Sequence, residues 1–578
     1  MSLLEKLKNH WQAFVVACCV GLLFCLPQLL IGHVVPKFQG IYKQVADDGL
    51  YYEARARDVI DGHMFLSNPY LAEHKVGQPL QVWLPDALLA WPIAALHMTI
   101  PVGFIVWTGI LNVLIALLLY AVSWELTTSR KLSLLSVVLF QVIIFGLLFL
   151  RLPSPTFNFI FWLLLLWSLV RFTKSRSTSM AILASVSLGL LFNFYPYYWT
   201  FFIVVIVLFL KISKVLQRDI PYKKYFYILL GAFAIGSPYI ISSLRSAKLP
   251  DAAATLARIG LIHTHFPSGF ENVLLCLCVF FIFLWCIYKK EVPLDEVSVL
   301  LMSGVVGGAI VVNQHIITGS NLEFSSHYWM ETVAWCMFTL LYLSVPYIKK
   351  LAHTQKSVLH ILLWGICYVI ILALGVRSMQ SIALAQTSYS QGDVKSQEYA
   401  PILTWLNNHT QVDDVIYADD NLSYEVPIYT SDNVYYTPES NLFFMSDQEV
   451  DQRFIIEHYF DDFIPAYIRA HEREIYGAYL IDRYNHTVSE NTVRNYIGFS
   501  PVPNVLVPEA DVTDIQSQAA TLHAEGFQKA LSTYRADYVI WDTLSEPSWD
   551  INTFKFLTPV YETQGIVIYR VSTTSPHS

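Results

Sequence analysis

Apolar runs of bilayer length dominate the first 376 positions, and most charged residues fall in the segments between them. A hydrocarbon layer of roughly 30 Å takes about 20 helical residues to cross. On that measure about 11 segments read as spans or near-spans: 11–31, 102–124, 132–150, 157–172, 179–194, 197–212, 225–244, 272–288, 297–314, 329–347 and 358–376. The runs at 157–172, 179–194 and 197–212 are short. Segment 80–100, broken by Pro85, Asp86 and Pro92, reads as interfacial or re-entrant. After residue 377 short β-type runs at 414–418, 433–436, 538–541, 560–562 and 566–571 alternate with helical stretches. The pattern predicts an α-helical polytopic membrane bundle over 1–376, with outer loop 32–101, followed by an extracytoplasmic α/β domain over 377–578.

Basic residues set the expected orientation, because cytoplasmic loops are enriched in Lys and Arg. Lys6 and Lys8, Arg130–Lys131, Arg171 to Arg176, Lys211 to Lys224, Lys289–Lys290 and Lys349 to Lys356 fall in alternate connections. That places 32–101, 151–156, 195–196, 245–271, 315–328 and everything after about 377 outside. Counting 80–100 as a span would invert every later loop. The apolar stretch Trp11 to Ile31 has a basic start but no small-x-small cleavage site, so it reads as an uncleaved first span.

Composition agrees with a membrane protein: 54% of the 578 residues are hydrophobic and 14% charged, against roughly 25% charged in soluble domains. A formal net charge of −8 without a dense basic run argues against a nucleic-acid partner. All eight cysteines lie in apolar runs and read as packing residues rather than disulfides or a zinc knuckle. No glycine-rich phosphate loop or Gly-x-Ser-x-Gly elbow is present.

Candidate chemistry begins just after the first span, at Asp47-Asp48-Gly-Leu-Tyr51-Tyr52-Glu53-Ala-Arg55. Asp48 suits a helix N-cap and Gly62 a helix stop, so two carboxylates are expected at a helix start on the membrane surface. Asp48, Tyr52 and Arg55 would share one face of that helix. A carboxylate there can take the proton of an attacking hydroxyl, and cations nearby can hold a departing phosphate. Read only as a cap with a solvated neighbour, the same pair carries no chemistry.

In outer segment 245–271, Arg245, Arg258, His263 and His265 suit a lipid phosphate, or equally a solvated loop. Polar residues at the end of a span, here His315, Glu323 and His327, read as phosphate- or sugar-binding, with helix capping as the alternative. A metal on either histidine group lacks the usual short-spaced ligand signature. The aromatics Phe194 to Trp199 suit a sugar platform or an interfacial belt. In the tail, the acid pairs Asp413–Asp414, Asp419–Asp420 and Asp461–Asp462 read as solvated surface.

A first span, an outer loop opening Asp-Asp-Gly-x-Tyr-Tyr, the run Ala54 to Gly62, many further spans and an α/β tail together resemble the type-C glycosyltransferase superfamily. The loop is similar to the start of the oligosaccharyltransferase catalytic subunit. The resemblance implies a catalytic acid at Asp47 or Asp48 and a dolichyl- or undecaprenyl-phosphate sugar donor. The acceptor would be an extracytoplasmic glycan, lipid or protein, transfer would be inverting, and the setting a bacterial inner membrane. The loop Arg151-Leu-Pro153-Ser-Pro155-Thr-Phe-Asn158 has no carboxylate, and the tail offers Val539-Ile-Trp541-Asp542 in place of Trp-Trp-Asp. Protein N-glycosylation is therefore not expected, and the chain is closer to the branch using lipid monophosphate sugars without a metal or other cofactor. A flippase of lipid-linked saccharides would need broken helices and mid-span charges, in which the spans are poor. A noncatalytic assembly protein of the same fold is the remaining alternative.

Overall fold

The computed structural model describes residues 9–45, 48–322, 327–353, 358–503 and 507–572, leaving side chains aside at 351–353, 358–364, 479 and 481. Asp47 and Glu323 fall outside the described residues. Among the described residues, eight helices are long and apolar enough to cross a membrane: Trp11–Leu29, Ile100–Thr127, Thr156–Ser175, Pro196–Val215, Tyr222–Ser246, Phe270–Tyr288, Trp329–Lys350 and Gly365–Thr387. Each matches one of the apolar runs of the sequence.

The other three runs are helical but shorter. Thr178–Phe192 and Glu296–Val312 fall below spanning length. The 132–150 run divides into an α-helix Arg130–Val137, a π-helical stretch Val138–Ile144 and a 3₁₀ turn Leu148–Leu150. Segment 80–100 holds only the helix Leu84–Ala95, about 18 Å long at 1.5 Å per residue, too short to cross.

Apolar side chains inside the bundle form one large core. Glycine permits the closest helix approach: a Cβ at Gly304 would stand 1.8 Å from the indole of Trp335, whose Nε1 donates to the Leu301 carbonyl at 2.9 Å. Other large apolar side chains on these helices face outward, among them Phe226, Tyr227, Leu274, Phe281 and Trp285. Such a broad apolar exterior is what a lipid-facing surface requires. The eight cysteines are free thiols.

The last long helix, Val358–Thr387, continues past residue 377 before the C-terminal region begins. That region carries a five-stranded sheet ordered β4-β3-β5-β7-β6, comprising β3 Val415–Tyr417, β4 Asn433–Val434, β5 Tyr538–Asp542, β6 Leu557–Thr563 and β7 Ile566–Val571. All five expected strands are present. β3 runs parallel to β4 and β5, while β7 pairs antiparallel with β5 and β6. Gln564 and Gly565, both at positive φ, make the two-residue turn between β6 and β7. A second, two-stranded sheet pairs β1 Leu261–His263 with β2 Ser320–Leu322.

Alternate residues of the large sheet feed two cores. Val415, Tyr417, Val539 and Val567 pack on one face, and Ile416, Tyr538, Ile540 and Ile568 on the other. The second core also contains Ile41, Tyr51, Ala54, Tyr70 and Leu71 from the 32–101 loop. Hydrogen bonds fasten the same union: Val434 N–H donates to the Tyr70 carbonyl at 3.0 Å, and the Gln397 side-chain Nε2 donates to the Ile41 carbonyl at 2.8 Å. The first loop and the C-terminal region thus fold as one body.

Glu53 lies in this seam, 6% exposed, accepting a hydrogen bond from Gln44 Nε2 at 3.1 Å. Burial, reinforced by the charge of Glu425, pushes its carboxyl up to about 8. Its protonated form therefore favours the fold: the contribution is complete below the unfolded value of about 4.3 and is lost as pH rises through about 8. The unfolding midpoint of the wild type is expected to fall between pH 5 and 8.5, and that of Glu53→Gln to fall less. Parallel curves for the two proteins would refute the assignment.

Candidate functional site

The helix carrying the acidic motif runs Gly49–Ile60, with Asp48 at the N-cap position. Sequence suggests that the Asp48 side chain caps this helix, but it accepts no cap hydrogen bond. Its carboxylate is instead paired side-on with Arg151, accepting from Nε at 3.1 Å and also from Nη2. Both side chains are about one-third exposed. Arg151 comes from the turn between Leu148–Leu150 and the helix Thr156–Ser175, where the Leu152–Pro153 and Ser154–Pro155 peptide bonds are cis.

Tyr52 and Tyr195 both lie near Arg151, and Tyr52 also lies near Asp48. The Tyr195 hydroxyl is hydrogen-bonded to His327 Nδ1. His327 in turn stacks on Tyr197, ring centroids 4.9 Å apart and planes 15° from parallel. Asp48, Arg151, Tyr195 and His327 thus lie along one polar track, with hydrogen bonds at its two ends, Arg151 to Asp48 and Tyr195 to His327. Beside its far end opens a cavity of about 250 Å³, lined in part by Tyr197, Thr200, Gln314, Asn321 and Tyr328. A larger crevice between Lys211 and Met302 is lined almost wholly by apolar side chains and shares none of these residues.

Other expected site residues have different surroundings. Arg55 turns away from Asp48: Nη2 donates to Asp86 Oδ2 at 2.7 Å, Nε to Asp86 Oδ1 at 3.1 Å, and Nη1 to the Tyr51 hydroxyl at 2.6 Å. Arg55 and Asp86 are 2% and 1% exposed, so this guanidinium is committed to the interior. Arg258 is likewise consumed, donating to the Asn441 and Met445 carbonyls at 3.1 and 2.5 Å and pairing with Asp447. It ties the bundle loops to the C-terminal region. The Ala478 N–H adds a bond to its carbonyl at 2.8 Å.

His315 is fully buried and donates through Nε2 to the Phe266 carbonyl at 2.8 Å. Burial holds its pKa below the ordinary imidazole value, which suits a neutral scaffold better than a phosphate cation. His265 donates to the Ile316 carbonyl at 3.0 Å, while His263 stands opposite Ser320 in the β1–β2 ladder. Arg245 is exposed in the last turn of Tyr222–Ser246.

Two residues join the site that sequence reasoning passed over. Arg151 was visible only as the lone cation of a loop without a carboxylate. Glu331, on the helix beginning at Trp329, is fully buried with neither carboxylate oxygen hydrogen-bonded, close to Tyr198 and Tyr328. A single acid in an apolar helix was the available signal for it, since such residues are costly and commonly functional. No protein-family model matches the chain, and no curated protein matches it significantly.

Proposed function

We propose that the protein is a multi-pass membrane glycosyltransferase that moves a sugar from a polyprenyl-phosphate carrier to an acceptor on the outer face of a bacterial inner membrane. In this reading the three shorter apolar segments complete about 11 crossings, and the C-terminal α/β region is extracytoplasmic. The observation that carries the proposal is the Asp48–Arg151 pair, which holds a partly exposed carboxylate and a guanidinium together at the head of a track of Tyr and His side chains.

Those groups match the needs of the reaction. The acceptor hydroxyl oxygen bonds to the anomeric carbon as the bond from that carbon to the phosphate oxygen breaks. The electron pair leaves with the lipid phosphate, and Asp48 takes the hydroxyl proton. Arg151, with exposed Arg245 and the phenols and imidazole of the track, supplies donors to the phosphate and sugar. The cavity beside Tyr197 and Tyr328 offers aromatic faces for the sugar. No step requires a metal ion.

A polyprenyl phosphate bearing a photoactivatable group near its phosphate tests the placement. Crosslinks are expected in segments 195–200 and 314–328, with competition by unlabelled donor. Competed crosslinks confined to the crevice between Lys211 and Met302 would exclude this site as the donor site.

A further inference from the structure

The acid pairs of the C-terminal region are not all solvated surface. Asp420 opens the helix Asp420–Tyr429, His458 caps the end of Asp447–Glu457, and Glu474 lies in the short helix Glu472–Tyr476. These three elements converge so that one ligand atom from each residue lies within 4.8 Å of the others. His458 Nε2 faces Glu474 Oε2 at 3.5 Å and Asp420 Oδ1 at 3.9 Å.

The imidazole is oriented from behind. His458 Nδ1 meets Asp461 Oδ2 at 3.3 Å, and the same oxygen accepts the Tyr467 hydroxyl at 2.7 Å. A carboxylate on one ring nitrogen, with the other nitrogen aimed at open ligands, is the arrangement that fixes the tautomer of a metal-binding histidine. His458 is 8% exposed, and its Nε2 is buried without a hydrogen-bond partner. Glu474 Oε2 is in the same condition. Glu457, 2% exposed, brings another unpartnered carboxylate oxygen close to Asp420 and His458. Among the described residues, Asp420, Asp461 and Glu474 form no ion pair with lysine or arginine.

We propose that Asp420, His458 and Glu474 bind one first-row divalent cation, Mn²⁺ or Zn²⁺. Ligand atoms held at about 2.1 Å by one ion lie about 3.4 Å apart in a tetrahedral shell and at most about 4.2 Å apart. The 3.5 and 3.9 Å separations are therefore already in range, and closing the triad needs Asp420 and Glu474 to draw together. One imidazole with two carboxylates favours these ions over Mg²⁺, which prefers oxygen ligands and keeps its waters. Asp420, 44% exposed, forms the entrance. The ion would clip together three helices that are separate in sequence. One of them, Asp420–Tyr429, shares the core containing Leu422 and Val426 with Tyr51 and Ala54 of the acidic-motif helix.

The test uses the full-length protein in detergent, stripped with EDTA, dialysed and then titrated with MnCl₂, ZnCl₂ or MgCl₂ alone. Bound metal is measured by elemental analysis and the unfolding midpoint by thermal denaturation. One equivalent of Mn²⁺ or Zn²⁺ and a raised midpoint are expected. Asp420→Asn and Glu474→Gln should each weaken binding at least about tenfold, and Asp461→Asn by roughly 10- to 100-fold. The metal-free midpoints of these near-isosteric variants report their folding, and His263→Ala/His265→Ala controls for binding to exposed imidazoles. No stoichiometric binding at 1 mM of any ion overturns the proposal, as does undiminished binding by both Asp420→Asn and Glu474→Gln. A preference for Mg²⁺ overturns the assignment of ion class.

Discussion

Asp48→Asn is expected to lower transfer by roughly 10²- to 10⁴-fold, the contribution of a positioned general base, while leaving donor binding and the unfolding midpoint nearly unchanged. The amide is close in shape to the carboxylate but cannot accept the proton of the acceptor hydroxyl. Stability should not suffer much, because a pair whose members are about one-third exposed contributes little to folding, and Asp48 makes no cap bond to lose. Arg151→Lys distinguishes the roles. It keeps the charge beside Asp48 but loses the planar two-point geometry, so it should weaken phosphate recognition and transfer while retaining part of the activity. Equal turnover in Asp48→Asn and wild type would leave the pair a structural contact only.

The largest expected effect on stability lies about two helical turns away, at the buried Arg55–Asp86 pair. Asp86→Ala strands a guanidinium that is 2% exposed and should cost about 3–5 kcal/mol, as when one member of a buried ion pair is removed. Replacing both residues, as Arg55→Met with Asp86→Leu, should cost much less, because no charge is then left without a partner. The Tyr51 and Gln81 contacts of Arg55 are also lost, so the double variant is not expected to exceed wild type. Denaturation midpoints of the three proteins in one detergent decide this. A double variant no better than Asp86→Ala would show that the pair itself is not the source of the loss.

The two aspartates show how far periodicity alone reaches. The start and end of the Gly49–Ile60 helix were readable from Asp48 and Gly62, because caps and stops are local signals. The partners of Asp48 and Arg55 were not, since Arg151 and Asp86 are remote in sequence and come close only through tertiary packing. Asp86 had been visible only as a residue interrupting an apolar run. Helical spacing put Asp48, Tyr52 and Arg55 on one face; in the structure Asp48 and Arg55 make separate ion pairs.

Long apolar runs gave eight helices of spanning length because each carries its own signal. The 132–150 run does not show its division into α, π and 3₁₀ turns by composition, since its residues are apolar throughout. The five strands of the C-terminal sheet were likewise legible from β-branched and aromatic runs. What stayed hidden was that the 32–101 loop completes the second core of that sheet, a union visible only in the contacts. The Asp420, His458 and Glu474 triad escaped for a related reason: its members come from three helices, with no short-spaced motif to find.

The most direct measurement is donor consumption by the purified wild-type protein in lipid nanodiscs, supplied with a panel of polyprenyl-phosphate hexoses and pentoses. Release of free polyprenyl phosphate would be followed by mass spectrometry beside Asp48→Asn. The proposed function requires at least one donor to be bound and consumed by the wild type, and that donor to be bound but not consumed by the variant. Failure of the wild type to bind or consume any member of the panel would contradict the transferase and favour a carrier or an assembly protein.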